Sequence, residues 1–183
     1  MERSQAMTEL KGRLTNSNLI KHSIAVEAIM RAMAGHFKED QEKWGLAGLL
    51  HDIDYDKTAN DPQQHSILGA EILENLGMDD EIVYAVKAHN DCHGIERKRK
   101  IDKVLYSADP VSGLITAAAL ILPSKRLEDV TVDFIMKRFN EKAFALGARR
   151  EPITLCSEFG MSLDEFISIA LDAMKGVSDE LGL

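Results

Sequence analysis

The sequence predicts an all-α protein, and three features carry that expectation. Apolar residues recur at intervals of three, four and seven along most of the chain. No stretch alternates apolar and polar residues for long enough to make a strand. Residues that start and stop helices stand between the periodic segments. The chain has 183 residues, 45% hydrophobic and 28% charged, which suits one globular domain, or a domain with an extension, burying its own core.

The elements follow in order. Residues 1–17 form an N-terminal segment without the apolar run of a secretion signal. Asn16-Ser17-Asn18 offers a cap for a long helix whose inward stripe is Leu19, Val26, Ile29, Met33 and Phe37. A second helix, about Gln41 to Leu50, turns Trp44, Ala47 and Leu50 inward, and the polar stretch Asp52–Asp61 reads as loop. Pro62 suits the first position of a third helix, which carries Leu68, Ile72 and Leu76 and stops at Gly77. Asp79-Asp80-Glu81 complement the dipole of a fourth, which buries Ile82, Val83 and Val86.

After a polar loop, Ile101, Val104, Leu105 and Ala108 open a long apolar helix that runs on to Leu122, bent at Pro110. Its apolar run of about twelve residues falls short of the roughly 20 that cross a membrane. Shorter helices are expected over Val132–Asn140, Glu141–Gly147 and Arg150–Phe159. A closing one starts at Ser162, which pairs with Glu165 as a capping box. The expected organisation is a helical core over 18–125 with an extension, 126–183, packed on it.

Charge and cysteines narrow the function classes. Lys and Arg total 22 against 30 Asp and Glu, a net charge of -8, which argues against a long nucleic acid as partner. Two cysteines, Cys92 and Cys156, are too few for a disulfide framework and fit a reducing compartment. The expectation is a cytoplasmic protein with no membrane partner, and a homo-oligomer is compatible with the sequence.

The histidines are the informative feature. His22 lies on the inward stripe of the first long helix, between Leu19 and Val26. His51-Asp52 closes the second helix, His65 opens the third in line with Leu68, Gly69 and Ile72, and His89 ends the fourth. Asp109 continues the Ile101–Leu105 row of the long helix. Any one of them alone is more often a hydrogen-bonded core residue. Five consecutive elements bringing imidazole or carboxylate toward one interior would be costly without a cation among them. Four imidazoles with two carboxylates suit a divalent transition metal, one or two ions of Fe, Mn, Zn, Co or Ni. His36, at a helix end, and His93, in a polar loop, read as structural or solvated.

The order His22, His51-Asp52, Asp109 resembles the HD superfamily of metal-dependent phosphohydrolases. Gly48-Leu49-Leu50-His51-Asp52-Ile53-Asp54 is similar to its central motif. His65-Ser66-Ile67-Leu68-Gly69-Ala70, Ala88-His89-Asn90 and Ala108-Asp109 resemble the subset with two extra histidines, which includes dinuclear members. The resemblance implies one metal on His22, His51, Asp52 and Asp109 and a second on His65 and His89, with Asp52 bridging. Many relatives have Gly where Asp54 stands and Lys directly after it, where this chain has Tyr55; its nearest lysine is Lys57. Nothing resembles the Gly-Tyr-Pro signature of cyclic dinucleotide phosphodiesterases.

The activity so implied is hydrolysis of a phosphoester or phosphoanhydride bond in a nucleotide or small phosphorylated metabolite by a metal-activated hydroxide. Asp54, Asp56 and Lys57 are the candidates nearest in sequence for the proton donor or cationic neighbour of the leaving group, and Asn90 for a phosphate contact. Arg97 and Arg99, in the basic run Arg97–Lys100, are expected at the rim of the site as substrate-binding groups. Two other readings share the fold: a dinuclear iron oxygenase and a non-catalytic nucleotide-binding module.

Overall fold

The computed structural model describes residues 1–141 and 143–183. The chain folds into α1 (Arg3–Lys11), α2 (Ser17–Phe37), α3 (Gln41–Leu50), α4 (Tyr55–Thr58), α5 (Ile67–Asn75), α6 (Asp80–Ala88), α7 (Lys100–Leu120), α8 (Val132–Phe139), α9 (Arg150–Thr154), α10 (Leu163–Lys175) and α11 (Ser178–Leu181). The described residues contain no strand, and no helix is long and apolar enough to cross a membrane.

The hydrophobic pattern explains the packing. On α2, Val26, Ile29, Met30 and Met33 are fully buried; on α7, Val104, Leu105, Ala108, Val111, Leu114, Ile115 and Ala118 are as well. α7 is apolar around much of its circumference and runs unbroken through Pro110, packing against α2, α3, α6, α8, α9 and α10. The start of α2 is fixed by the Asn16 side chain, whose oxygen accepts from the Asn18 N–H at 2.9 Å. The N-terminal segment is ordered too: α1 packs on α3, burying Ala6, Leu10 and the following Leu14.

Several boundaries differ from the sequence expectation. The third helix begins at Ile67 rather than Pro62, because Ser66 takes a left-handed φ of 71° and Pro62–Ser66 form turns. The supposed loop after Asp52 contains α4. The helix expected over Glu141–Gly147 does not form among its described residues; Lys142 lies outside them. The segment makes turns instead, with the Phe144 N–H bonded to the Glu141 carbonyl and the Ala148 N–H to the Ala145 carbonyl, and the Arg150 guanidinium collects the carbonyls of Phe139, Phe144, Ala145 and Ala148 around it. The Arg150–Phe159 segment tightens to a 3₁₀ turn from Leu155, ending at Gly160 with φ 84°. At the last boundary, the Ser162 hydroxyl accepts from the Glu165 N–H at 3.3 Å, which is half of the capping box.

Candidate metal centre

The centre begins with a glycine. A Cβ on Gly48 would lie 2.8 Å from the Val26 carbonyl and 3.0 Å from the Glu27 Cα, so the helices approach as closely as they do because Gly48 lacks one. His51 follows one turn after Gly48 and His22 precedes Val26 by one turn. The close approach therefore sets the two rings together, with Nε2 atoms 3.2 Å apart.

The remaining groups gather around that pair. Asp109 Oδ1, from α7, lies 3.2 Å from His22 Nε2 and 4.0 Å from His51 Nε2. Asp52 Oδ2 lies 3.7 Å from His22 Nε2 and 3.4 Å from His51 Nε2. The other Asp52 oxygen faces the opposite way, 3.4 Å from His65 Nε2 and 3.5 Å from His89 Nε2. All six residues singled out by spacing thus meet at one place, with Asp52 between two groups of donors. Sets such as His22–His51–Asp109 and His51–Asp52–His89 offer atoms close enough together to hold an ion.

The second ring nitrogens explain how the centre is oriented. His51 Nδ1 donates to the Gly48 carbonyl (2.8 Å) and His89 Nδ1 to the Val86 carbonyl (2.6 Å). His65 Nδ1 donates to Asp54 Oδ1 (3.1 Å). The Ser112 hydroxyl gives its proton to the Asp109 carbonyl (2.8 Å), which leaves its oxygen to accept from His22 Nδ1 (3.1 Å). With a proton on every Nδ1, each Nε2 turns a lone pair inward. Lone pairs facing each other at 3.2 Å repel unless a proton or cation lies between them. His89 Nε2 is buried without a hydrogen-bond partner. This donor chemistry fits a divalent metal.

The same contacts set the pKa values. Burial pulls His22 down, but the Asp109 contact and the Asp52 charge outweigh it and leave the imidazole raised. Burial is likewise overcome at His89 by Asp52, whereas at His51 burial wins and the pKa is lowered. Asp52 and Asp109 are held below the usual carboxylate range despite burial, because imidazoles face them.

The other expected site residues make contacts of their own, two of them with His65. Asp54 is buried, and its carboxylate accepts from His65 Nδ1, the Ser66 N–H (2.8 Å) and the Gly69 N–H (3.1 Å), so it orients His65 rather than offering a proton. Lys57 is exposed on α4. Asn90 gives its amide protons to the carbonyls of Pro62 and His65 and accepts from the Cys92 N–H, bracing the turn that carries His65. Arg97 is stacked 3.6 Å over the Tyr106 ring and bonded to Asp91 and the Ala88 carbonyl. Arg99 lies over Tyr84 and near Glu81. Of the two, Arg97 comes nearer the centre along the chain, through the carbonyl of Ala88, the residue before His89.

Two contributors escaped the sequence reading. His93 is half-buried and donates from Nε2 to the His65 carbonyl at 2.7 Å, and Ser112 orients His22. Ser112 was findable by its place one turn past Asp109 on the same helix; nothing local marks His93.

Fold and site together define a class: a helical protein whose successive elements deliver His, His-Asp, His, His and Asp to one centre able to hold a divalent metal. The HD domain family model matches residues 19–129, and the chain belongs to the HD domain family. Ribonuclease Y of Lawsonia intracellularis is 30% identical over 169 residues, 90% of this chain and 32% of that protein. Ribonuclease Y of Oleidesulfovibrio alaskensis is 30% identical over 177 residues, 94% of this chain and 34% of that protein. Ribonuclease Y of Desulfotalea psychrophila is 32% identical over 155 residues, 79% and 29% of the two chains. The chain spans about a third of the length of these curated relatives.

Proposed function

We propose that this chain is a metal-dependent phosphohydrolase cleaving a phosphoester or phosphoanhydride bond in a nucleotide or another small phosphorylated metabolite. One observation supports this above the rest: four imidazoles have their Nδ1 atoms held by other groups, so that four Nε2 lone pairs converge on the two oxygens of Asp52 and on Asp109. His22, His51, Asp52 and Asp109 would hold one ion, and His65 and His89 a second, with Asp52 shared; Fe, Mn, Zn, Co and Ni suit such donors. A divalent ion bound there supplies a water that ionises near neutral pH and a positive field for phosphoryl oxygens.

The chain's own contribution is preorganisation. Gly48, Val86, Asp54 and Ser112 fix the rings before any ligand arrives, so the donors need no rearrangement. His51 and His89 are buried at 0% and 5% exposure, whereas the side chains of His22 and Asp109 are 23% and 37% exposed. The substrate phosphate therefore approaches across His22 and Asp109.

The experiment is a hydrolysis panel on protein loaded separately with each of the five metals. It holds nucleoside mono-, di- and triphosphates, a dinucleoside polyphosphate, nitrophenyl phosphate and a short RNA. The expected result is turnover of a nucleotide or small phosphoester, reduced at least about a hundredfold in Asp52→Asn. No turnover with any metal, or equal rates in the variant, would overturn the proposal. A second reading, cleavage of RNA, is favoured by the likeness to proteins named Ribonuclease Y and opposed by the net charge of -8. Cleavage of the RNA alone in the same panel selects it.

A further inference from the structure

Two cavities open beside the centre and meet at His22 and Gly113. The first, about 410 Å³, is lined by Asn18, Lys21, Thr116, Leu120 and Leu181 among others. The second, about 320 Å³, runs past Asp109 and Pro110 toward Ala145 and Ala148. Asp109, Gly113, Thr116 and Leu120 follow one another at intervals of four, three and four, so one face of α7 forms the floor of both.

Gly113 stands at the junction. It sits inside α7, where glycine is destabilising relative to alanine, and its φ is not in the left-handed region. A Cβ added there would meet only the Ala148 Cβ, at 3.9 Å, so neither the backbone nor close packing calls for glycine. What the missing side chain provides is an open groove one turn from Asp109.

The lining specifies what could occupy the first cavity. Lys21 brings a cation next to His22, and among the described residues no carboxylate pairs with it. Its ammonium lies along the cavity, 2.9 Å from where a Cβ on Gly182 would stand. Beyond it, Leu120, Leu181 and Leu183 form an apolar wall, and Leu120 is 49% exposed. Asn18 and Thr116 supply hydrogen-bonding side chains. One cation, an apolar wall and two hydrogen-bonding side chains suit an anion joined to a group that has an apolar face and a polar edge, as a nucleobase has. The volume lies within the few hundred Å³ usual for small-ligand sites.

We propose that this groove binds a nucleoside monophosphate unit, with Gly113 keeping it open. The phosphate lies between Lys21 and the His22–Asp109 opening, and the base lies on Leu120 and Leu181 with its edge toward Asn18 and Thr116. The proposal takes its choice of substrate class from the reaction proposed above, but its test does not depend on turnover.

The test is equilibrium binding of AMP, GMP, CMP and UMP, with adenosine and a short oligoribonucleotide alongside, to wild type, Gly113→Leu, Gly113→Ala and Lys21→Ala. Melting temperature and metal content confirm that each variant is folded and loaded. At least one monophosphate should bind to wild type, about tenfold or more weakly to Gly113→Leu, and with an intermediate loss in Gly113→Ala. Lys21→Ala should weaken the nucleotide severalfold and leave adenosine unchanged. The groove is overturned if no monophosphate binds at millimolar concentration, if only the oligoribonucleotide binds, or if both Gly113 variants bind as wild type does. Binding that depends on Gly113 and Lys21 without any hydrolysis would overturn the reaction and keep the groove. Nucleotide hydrolysis indifferent to Gly113→Leu would do the reverse.

Discussion

The buried Asp54 carboxylate serves three donors at once, and its two oxygens divide them. Oδ1 faces His65 Nδ1, and Oδ2 holds the amides of Ser66 and Gly69. Replacing it by Asn would set an amide N–H against either the His65 ring proton or the two backbone amides. The expected result in Asp54→Asn is a loss of about 10- to 100-fold in affinity for the ion at His65 and His89, measured by metal titration. Unchanged affinity would remove the orienting role. A second prediction concerns pH. His22 and His89 have pKa values raised above the ordinary 6.5, so in metal-free protein they keep their protons to higher pH, and an ion must displace them. Metal affinity should climb as pH rises through those values, by up to about tenfold per unit for each proton displaced. Affinity that stays constant between mildly acidic and mildly alkaline buffer would contradict it. At this scale His22, His51, His89 and Asp109 were legible, because each occupies an inward position of a periodic helix or its end; Asp52 follows His51 directly, and His65 stands in the turn before α5 rather than on the helix its spacing predicts. The roles of Asp54, Asn90 and His93 were not, because they converge on a turn around His65 that no periodicity marks.

Among the elements, the crossing of α2 and α3 positions half the centre and depends on Gly48. Gly48→Ala should cost about 1–3 kcal/mol in unfolding free energy, because the added methyl meets the Val26 carbonyl rather than a yielding side chain. It should also weaken metal binding by separating His22 from His51. Chemical denaturation together with metal titration would check both, and a variant as stable as wild type would contradict the packing account. The segment before α9 depends instead on Arg150, whose guanidinium serves the Phe139, Phe144, Ala145 and Ala148 carbonyls. Arg150→Met should destabilise the protein by roughly 1–3 kcal/mol in the same denaturation measurement. Elements with a strong apolar stripe, such as α2, α3 and α7, were readable from sequence. The helix expected over 141–147 was not, because the segment turns around the Arg150 guanidinium, a long-range anchor that no local pattern marks.

For the whole molecule, the ion would tie together helices that the core alone brings close: α2, α3, α6 and α7 each end or pass at the centre, with the turn before α5 adding His65. Metal that binds only the folded chain stabilises it by about 2.7 kcal/mol at a hundred times its dissociation constant, so chelation should lower Tm by roughly 5–10 °C. The net charge of -8 takes on a different meaning beside the centre. Asp52 and Asp109 would be neutralised by bound metal, and the local field would be positive where a phosphate arrives. The most direct test of the account is the metal content of protein purified without chelators, wild type beside Asp52→Asn. The prediction is about one to two equivalents of a divalent transition metal in wild type, largely lost in the variant. Less than about one equivalent in fresh wild-type protein, or equal content in the two, would contradict it.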